Sequence, residues 1–298
     1  MILKKKYCLV SHDAGGAENL SSWAKYNGFD YIYCKGPAVK IFKTKFRFKN
    51  ESSLKKSIIK SDIIITSTSW DSDLELNAIK IAKKFRKKTI SILDHWNNYY
   101  ERFTRNRITT LPDEIWVVDR YAFNLAKTVF NKKKIKLIKN YYKLDIEKKI
   151  FKKNKKKKDN ILYLAEPIEA HAVKQHKNKN YWGYTEYTLL EYFFKNINKI
   201  KKKVGNIIFR LHPSEERNKY NKIIKNYSNK YKIHLSFNKD LSFDINRSEI
   251  IVGCQSMAMV IALYSKKKVF SILPINLHKP VLPHKEIIYL KKKLNEKN

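Results

Sequence analysis

Short, unbroken apolar runs separated by amphipathic stretches set the rhythm of this chain. Runs at 6–10, 31–33, 61–67, 89–93, 114–118 and 135–138 occupy the first half. Runs at 161–165, 207–210, 232–235, 249–252 and 268–273 occupy the second. They are continuous rather than alternating, which is the pattern of strands covered on both faces of a parallel sheet. Helical periods lie between them. After residue 72, Leu74, Ala78, Ile81, Ala82 and Phe85 share one face, with Ser72 and Glu75 spaced as a capping box. Over 184–197, Leu189, Leu190, Phe193, Phe194 and Ile197 do the same. Further helices are predicted over about 17–26, from Asp119, from Ser214 to about 227, and from Ser256 to Lys266. Strand and helix alternate throughout, so the expected fold class is α/β with helices on both sheet faces. The stretch 151–160, FKKNKKKKDN, has no apolar period and reads as a solvated basic linker. It separates an N-terminal Rossmann-like domain over 1–150 from a C-terminal one over 161–298.

Composition supports a globular protein. A hydrophobic content of 43% over 298 residues is enough to bury two cores. Cys8, Cys34 and Cys254 lie far apart in apolar surroundings, which favours buried thiols in a reducing, cytoplasmic compartment over a zinc site. No apolar run reaches membrane-spanning length, and the one near the N-terminus is too short for a signal peptide. The net charge of +37 is spread over every predicted helix together with many Ile and Asn residues, as AT-rich coding would produce. Its functional alternative is peripheral contact with an anionic membrane at the inner face; without a clustered stripe or a nucleic-acid motif, nucleic acid is not expected as a partner.

The polar clusters all fall where predicted strands end, the side on which open α/β sheets bind ligands. After the first strand comes SHDAGGAE (11–18), whose two glycines let backbone approach a ligand and which gathers His12, Asp13, Gly15, Gly16 and Glu18 on one turn. It is not the GxGxxG of dinucleotide sites. Asp94 and His95 follow the fourth strand, and Glu166 precedes Pro167 at the end of the seventh. RLHPSE (210–215) reads as a strand, a sharp exit at Pro213 and a helix capped by Ser214. GCQSMA (253–258) opens a helix that is apolar nearly all round. Both are expected to present free N–H groups and a helix dipole to an anion.

RLHPSE followed about forty residues later by GCQSMA resembles the His-Pro and Ser/Thr motifs of metal-independent GT-B transferases, which include bacterial sialyl- and Kdo-transferases and teichoic-acid glycerophosphotransferases. The resemblance covers the order of elements over nearly the whole chain. It implies two Rossmann-like domains facing across a cleft and a glycosyltransferase of surface-polysaccharide assembly. Such an enzyme would take a nucleotide-activated sugar and a glycan or lipid-linked acceptor, with no metal and no cofactor. On this resemblance His212, Ser256 and Gln255 hold the donor phosphate with Arg210 adding charge. Asp13 is the base with His12 as the alternative, and Glu166 contacts the donor's sugar or base. Gly15, Gly16, Glu18, Asp94 and His95 line the acceptor side or the cleft. The acidic motif here is Asp-Ala-Gly-Gly rather than the paired acids of sialyltransferases. A nucleotide-sugar 2-epimerase or hydrolase on the same fold, and a non-catalytic binder of anionic polymer or membrane, are the competing readings.

Overall fold

The computed structural model describes residues 5–70, 72–151, 159–238, 240–275 and 279–290. Residues 152–158, most of the predicted basic linker, lie outside this set, as does Asp71. The chain divides into two compact units, Met1–Asp145 and Ile146–Asn298.

The first unit runs β1 (Tyr7–Ser11), α1 (Ala14–Asn27), β2 (Tyr31–Cys34), α2 (Pro37–Lys45), α3 (Leu54–Ile59), β3 (Ile63–Thr66), α4 (Leu74–Lys84) and β4 (Lys88–Ile92). A small hairpin of β5 (Thr104–Arg105) and β6 (Ile108–Thr109) follows, then β7 (Glu114–Val117), α5 (Arg120–Val129) and β8 (Lys134–Leu137). Helix α6 (Tyr141–Phe151) crosses the division. The main sheet has the order β2-β1-β3-β4-β7-β8, and every pairing in it is parallel. Successive strand residues point to opposite faces, so an unbroken apolar run means two covered faces. Leu9, Ile65 and Ile92 pack on one side with Trp23 and Phe42. Cys8, Val10 and Ile64 pack on the other with Ile58, Ala78 and Ala82.

The second unit repeats the plan with β9 (Ile161–Leu164), α7 (Ile168–His176), α8 (Glu186–Ile200), β10 (Asn206–Arg210), α9 (Asn221–Ser228) and β11 (Lys232–Leu235). It continues with α10 (Leu241–Asn246), β12 (Ile250–Gly253), α11 (Met257–Tyr264), β13 (Lys268–Ser271) and β14 (Ile288–Tyr289). The sheet order is β11-β10-β9-β12-β13-β14, again all parallel. Tyr163 and Phe209 stack at 5.0 Å between ring centroids inside a core that α8 completes with Phe193, Phe194 and Ile197.

In each sheet the chain winds outward on one side of its first strand and then returns to the other side. That reversal places β1 between β2 and β3, and β9 between β10 and β12. The crevice outside the carboxyl ends of the strands at such a point is where open α/β sheets take ligands.

Local helix starts depart from the expectations in two places. No helix begins at Ser214; residues 214–220 form turns, and α9 starts at Asn221. The Ser72–Glu75 capping box is absent as well. Asp73 is the N-cap of α4, Ser72 Oγ accepts from the Leu74 N–H at 3.1 Å, and Glu75 turns inward. Among the described residues no helix is long and apolar enough to cross a membrane.

Candidate functional site

At the β1/β3 reversal of the first unit the loops after β1, β3 and β4 converge. His12 Nδ1 lies 2.7 Å from Asp13 Oδ1, while Asp13 Oδ2 accepts from the Trp70 N–H at 2.6 Å. Glu75, only 3% exposed, underpins this turn. Its Oε1 accepts from the His12 N–H at 2.8 Å, Ser67 Oγ at 2.8 Å and Ser69 Oγ at 2.6 Å. Burial outweighs those hydrogen bonds and pushes the Glu75 pKa up. Asp94 arrives from the end of β4, and its Oδ1 accepts from Thr68 Oγ1 at 3.0 Å and Arg102 Nη1 at 2.9 Å. The other Asp94 oxygen sits over Gly15, where a Cβ would come within 2.5 Å of it. A Cβ on Gly16 would lie 2.6 Å from the Ser67 Cβ and 2.9 Å from the Thr68 carbonyl oxygen. The two glycines thus let the start of α1 press against both neighbouring loops. His95 is held beside them, its Nδ1 accepting from the Trp96 N–H at 3.0 Å. Burial, with help from Arg102, lowers its pKa against the pull of Asp94.

At the β9/β12 reversal of the second unit the carboxylate of Glu166 fills the turn that opens α11. Its Oε1 accepts from the N–H groups of Cys254 and Gln255, each at 2.9 Å. Burial raises its pKa to about 7, although backbone N–H groups of residues 254–256 favour the ionised form. Part of the expected anion site is therefore already filled by a carboxyl group of the chain's own. Ser256 is the N-cap of α11, and its Oγ is buried with no hydrogen-bond partner among the described residues. Gln255 turns aside, its Oε1 accepting from the Val281 N–H at 3.4 Å.

The turn after β10 is fixed by Glu215. One of its oxygens accepts from the His212 N–H at 2.9 Å; the other takes Lys219 Nζ at 2.9 Å and Tyr220 OH at 2.6 Å. Lys219 also bonds the buried Glu186, which accepts from the Glu169 N–H at 2.9 Å. His212 Nδ1 accepts from the Ser214 N–H at 3.2 Å and lies 2.7 Å from Ser214 Oγ. Those contacts leave the proton of the neutral ring on Nε2, as a donor. Burial lowers the His212 pKa, His171 and Lys219 adding to the effect and Glu215 opposing it. The His171 ring stands edge-on to His212 with centroids 6.3 Å apart.

Of the residues singled out in the sequence, His12, Asp13, Gly15, Gly16, Asp94 and His95 come together in the first unit. Glu166, His212, Gln255 and Ser256 follow neighbouring strands in the second. Glu18 lies apart, its carboxylate 2.8 Å from Lys45 Nζ. Arg210 is directed to α10, donating to Asp244 Oδ2 at 2.6 Å and the Asn238 carbonyl at 2.9 Å. Sequence reasoning did not select Ser67, Ser69, Glu75 and Arg102 in the first unit, or His171, Glu186, Glu215 and Lys219 in the second. The hydroxyl-rich run at 66–69 is the one signal that could have found the first group. Glu75 and Glu215 sit at helix-start spacing, which disguises their inward roles.

No protein-family model matches the chain, and no curated protein matches it. Solved structures do. A UDP-GlcNAc 2-epimerase from Methanocaldococcus jannaschii aligns with a TM-score of 0.62 at 15% identity, covering 97% of this chain and 92% of that one. A UDP-GlcNAc 2-epimerase from Neisseria meningitidis, bound to UDP-GlcNAc, aligns at 0.62 and 12% identity over 98% and 90%. One from Rickettsia bellii aligns at 0.53 and 11% identity over 91% and 80%. The fold is of the GT-B type, with two parallel-sheet α/β domains. The glycosyltransferase expectation is overturned by the same comparison: these whole-chain matches are 2-epimerases.

Proposed function

We propose that this chain is an enzyme acting on a nucleotide-activated sugar without an acceptor, as a nucleotide-sugar 2-epimerase. The observation that carries the reading is the whole-chain likeness to UDP-GlcNAc 2-epimerases, one of them solved with UDP-GlcNAc and UDP, on a fold whose two reversal points both carry built polar clusters. The C-terminal cluster suits the nucleotide's diphosphate. It offers the His212 Nε2–H and Ser256 Oγ as donors to an anion, with the His171 ring beside them. The N-terminal cluster suits proton transfer. Inverting a sugar carbon breaks and remakes a C–H bond, so one group must take a proton and one must return it. His12, Asp13, Asp94 and His95 supply two imidazoles and two carboxylates for that work.

The test is acceptor-free turnover. Purified protein is incubated with UDP-GlcNAc, and then with other nucleotide sugars, and the products are separated by anion exchange. The reading expects a 2-epimeric sugar product or free epimeric sugar with released nucleotide. Full recovery of every substrate over a time in which the protein stays folded would contradict it. Turnover that begins only when a glycan acceptor is added would contradict it equally.

A further inference from the structure

We infer that His12 is the proton carrier of the N-terminal cluster, acting through Nε2, and that Asp13 and Gly36 are the residues that position it. This rests on the epimerase reading and inverts the order in which sequence ranks the two residues. Hydrogen bonds to a carboxylate favour its ionised form, so a carboxylate already engaged on both oxygens is the poorer proton acceptor. Both Asp13 oxygens are already engaged: Oδ1 lies 2.7 Å from His12 Nδ1, and Oδ2 accepts from the Trp70 N–H at 2.6 Å. A carboxylate bound in this way serves better as an orienter. Accepting from Nδ1–H, it fixes the tautomer in which Nε2 carries the lone pair, the logic that a carboxylate serves beside a catalytic imidazole.

The backbone is arranged for the same end. The His12 N–H donates to Glu75 Oε1 at 2.8 Å, which holds the residue's main chain while its ring extends outward, the side chain remaining 23% exposed. The ring lies against Gly36, where a Cβ would stand 2.6 Å from Nε2 and 2.8 Å from Cε1. Gly36 has φ of 55°, a left-handed conformation that glycine adopts at little cost. Any other residue would be strained there and would drive its side chain into the imidazole.

In the step itself the substrate X–H bond breaks and its electron pair stays with the substrate. The proton bonds to the Nε2 lone pair, and the imidazolium so formed is stabilised by the adjoining Asp13 carboxylate. The imidazolium then passes this proton to solvent, which restores the neutral ring, while a second acid of the cluster delivers a proton to the substrate's opposite face.

Two measurements on the full-length protein test this. Long-range ¹H–¹⁵N spectra of histidine-labelled protein at mildly alkaline pH, with the His12 signal assigned by its loss in His12→Gln, report the tautomer. The expected form has the proton on Nδ1, and Asp13→Ala should disperse it; a ring protonated on Nε2 in the wild type would overturn the inference. Turnover of UDP-GlcNAc should fall about 10²–10⁴-fold in His12→Gln, while thermal stabilisation by UDP is unchanged. Gly36→Ala should lower turnover while UDP stabilisation persists. Imidazole in the buffer should partly restore His12→Ala but not Asp13→Ala. Full activity in His12→Gln with activity lost in Asp13→Asn would also overturn the inference, since Asp13 would then be the base. UDP stabilisation without any turnover of UDP-sugars by the wild type would remove the epimerase reading and the carrier role with it. The tautomer from the same sample would still show whether the pair is built as described.

Discussion

Glu166 and His212 show how far a side chain's meaning depends on what surrounds it. In the sequence Glu166 is an acid ahead of a proline, expected to contact the donor's sugar or base; in the fold it caps the N–H groups of Cys254 and Gln255. Its pKa, raised by burial to about 7 from an ordinary 4.5, has a consequence for stability. As pH rises through that window the unfolded chain releases this proton while the folded chain keeps it. The contribution to stability therefore falls across the window and is level above it. Glu166→Gln retains an oxygen for both N–H groups and has no proton to lose. The difference in melting temperature between variant and wild type should move in favour of the variant from about pH 5 to about pH 8, by a few degrees. Parallel profiles would show that Glu166 does not titrate in that range. For His212, replacement by Ala removes a donor to a charged ligand and should weaken UDP binding about 10-fold, as measured by calorimetry. An unchanged affinity would place the diphosphate elsewhere. The phosphate role of His212 was expected from its motif, but the capping role of Glu166 was not. The His-Pro and Gln-Ser motifs identified the loops, but burial and hydrogen-bond partners came only with the fold.

At the scale of elements, the central strands were readable because both sheet faces are covered, which leaves uninterrupted apolar runs such as the three isoleucines of β3 (Ile63, Ile64, Ile65). The edges were harder. The strand Ile288–Tyr289 is two residues long, and α2 and α3 are short helices interrupted by lysines. Helix starts failed where an acid with capping spacing was used for something else. Ser214-Glu215 looks like the first turn of a helix, yet Glu215 is withdrawn to hold the His212 N–H, Lys219 and Tyr220. Its side chain is 2% exposed. Glu215→Ala leaves Lys219 with Glu186 alone and the His212 N–H without its acceptor, and should cost about 3 kcal/mol in urea unfolding. UDP stabilisation should weaken with it as the His212 turn loosens. A loss within about 0.5 kcal/mol, the range of an ordinary surface substitution, would show that the turn is held by other contacts.

For the whole molecule, the repeated α/β plan and the position of the polar loops followed from the pattern of the chain, whereas the reaction did not. A fold of this type hosts more than one chemistry, and short loop motifs do not say which reaction follows. The net charge of +37 likewise gives no reaction; it favours approach of any anion, nucleotide sugars included, in a salt-dependent way. What separates an epimerase from a transferase is whether the sugar's own carbon exchanges its proton. The decisive measurement is therefore ¹H NMR of UDP-GlcNAc incubated with the protein in deuterium oxide and no acceptor. The account predicts loss of the H2 signal and deuterium at C2 in the recovered or epimerised sugar. A sugar that keeps its C2 proton, whether untouched or merely cleaved from the nucleotide, would contradict it.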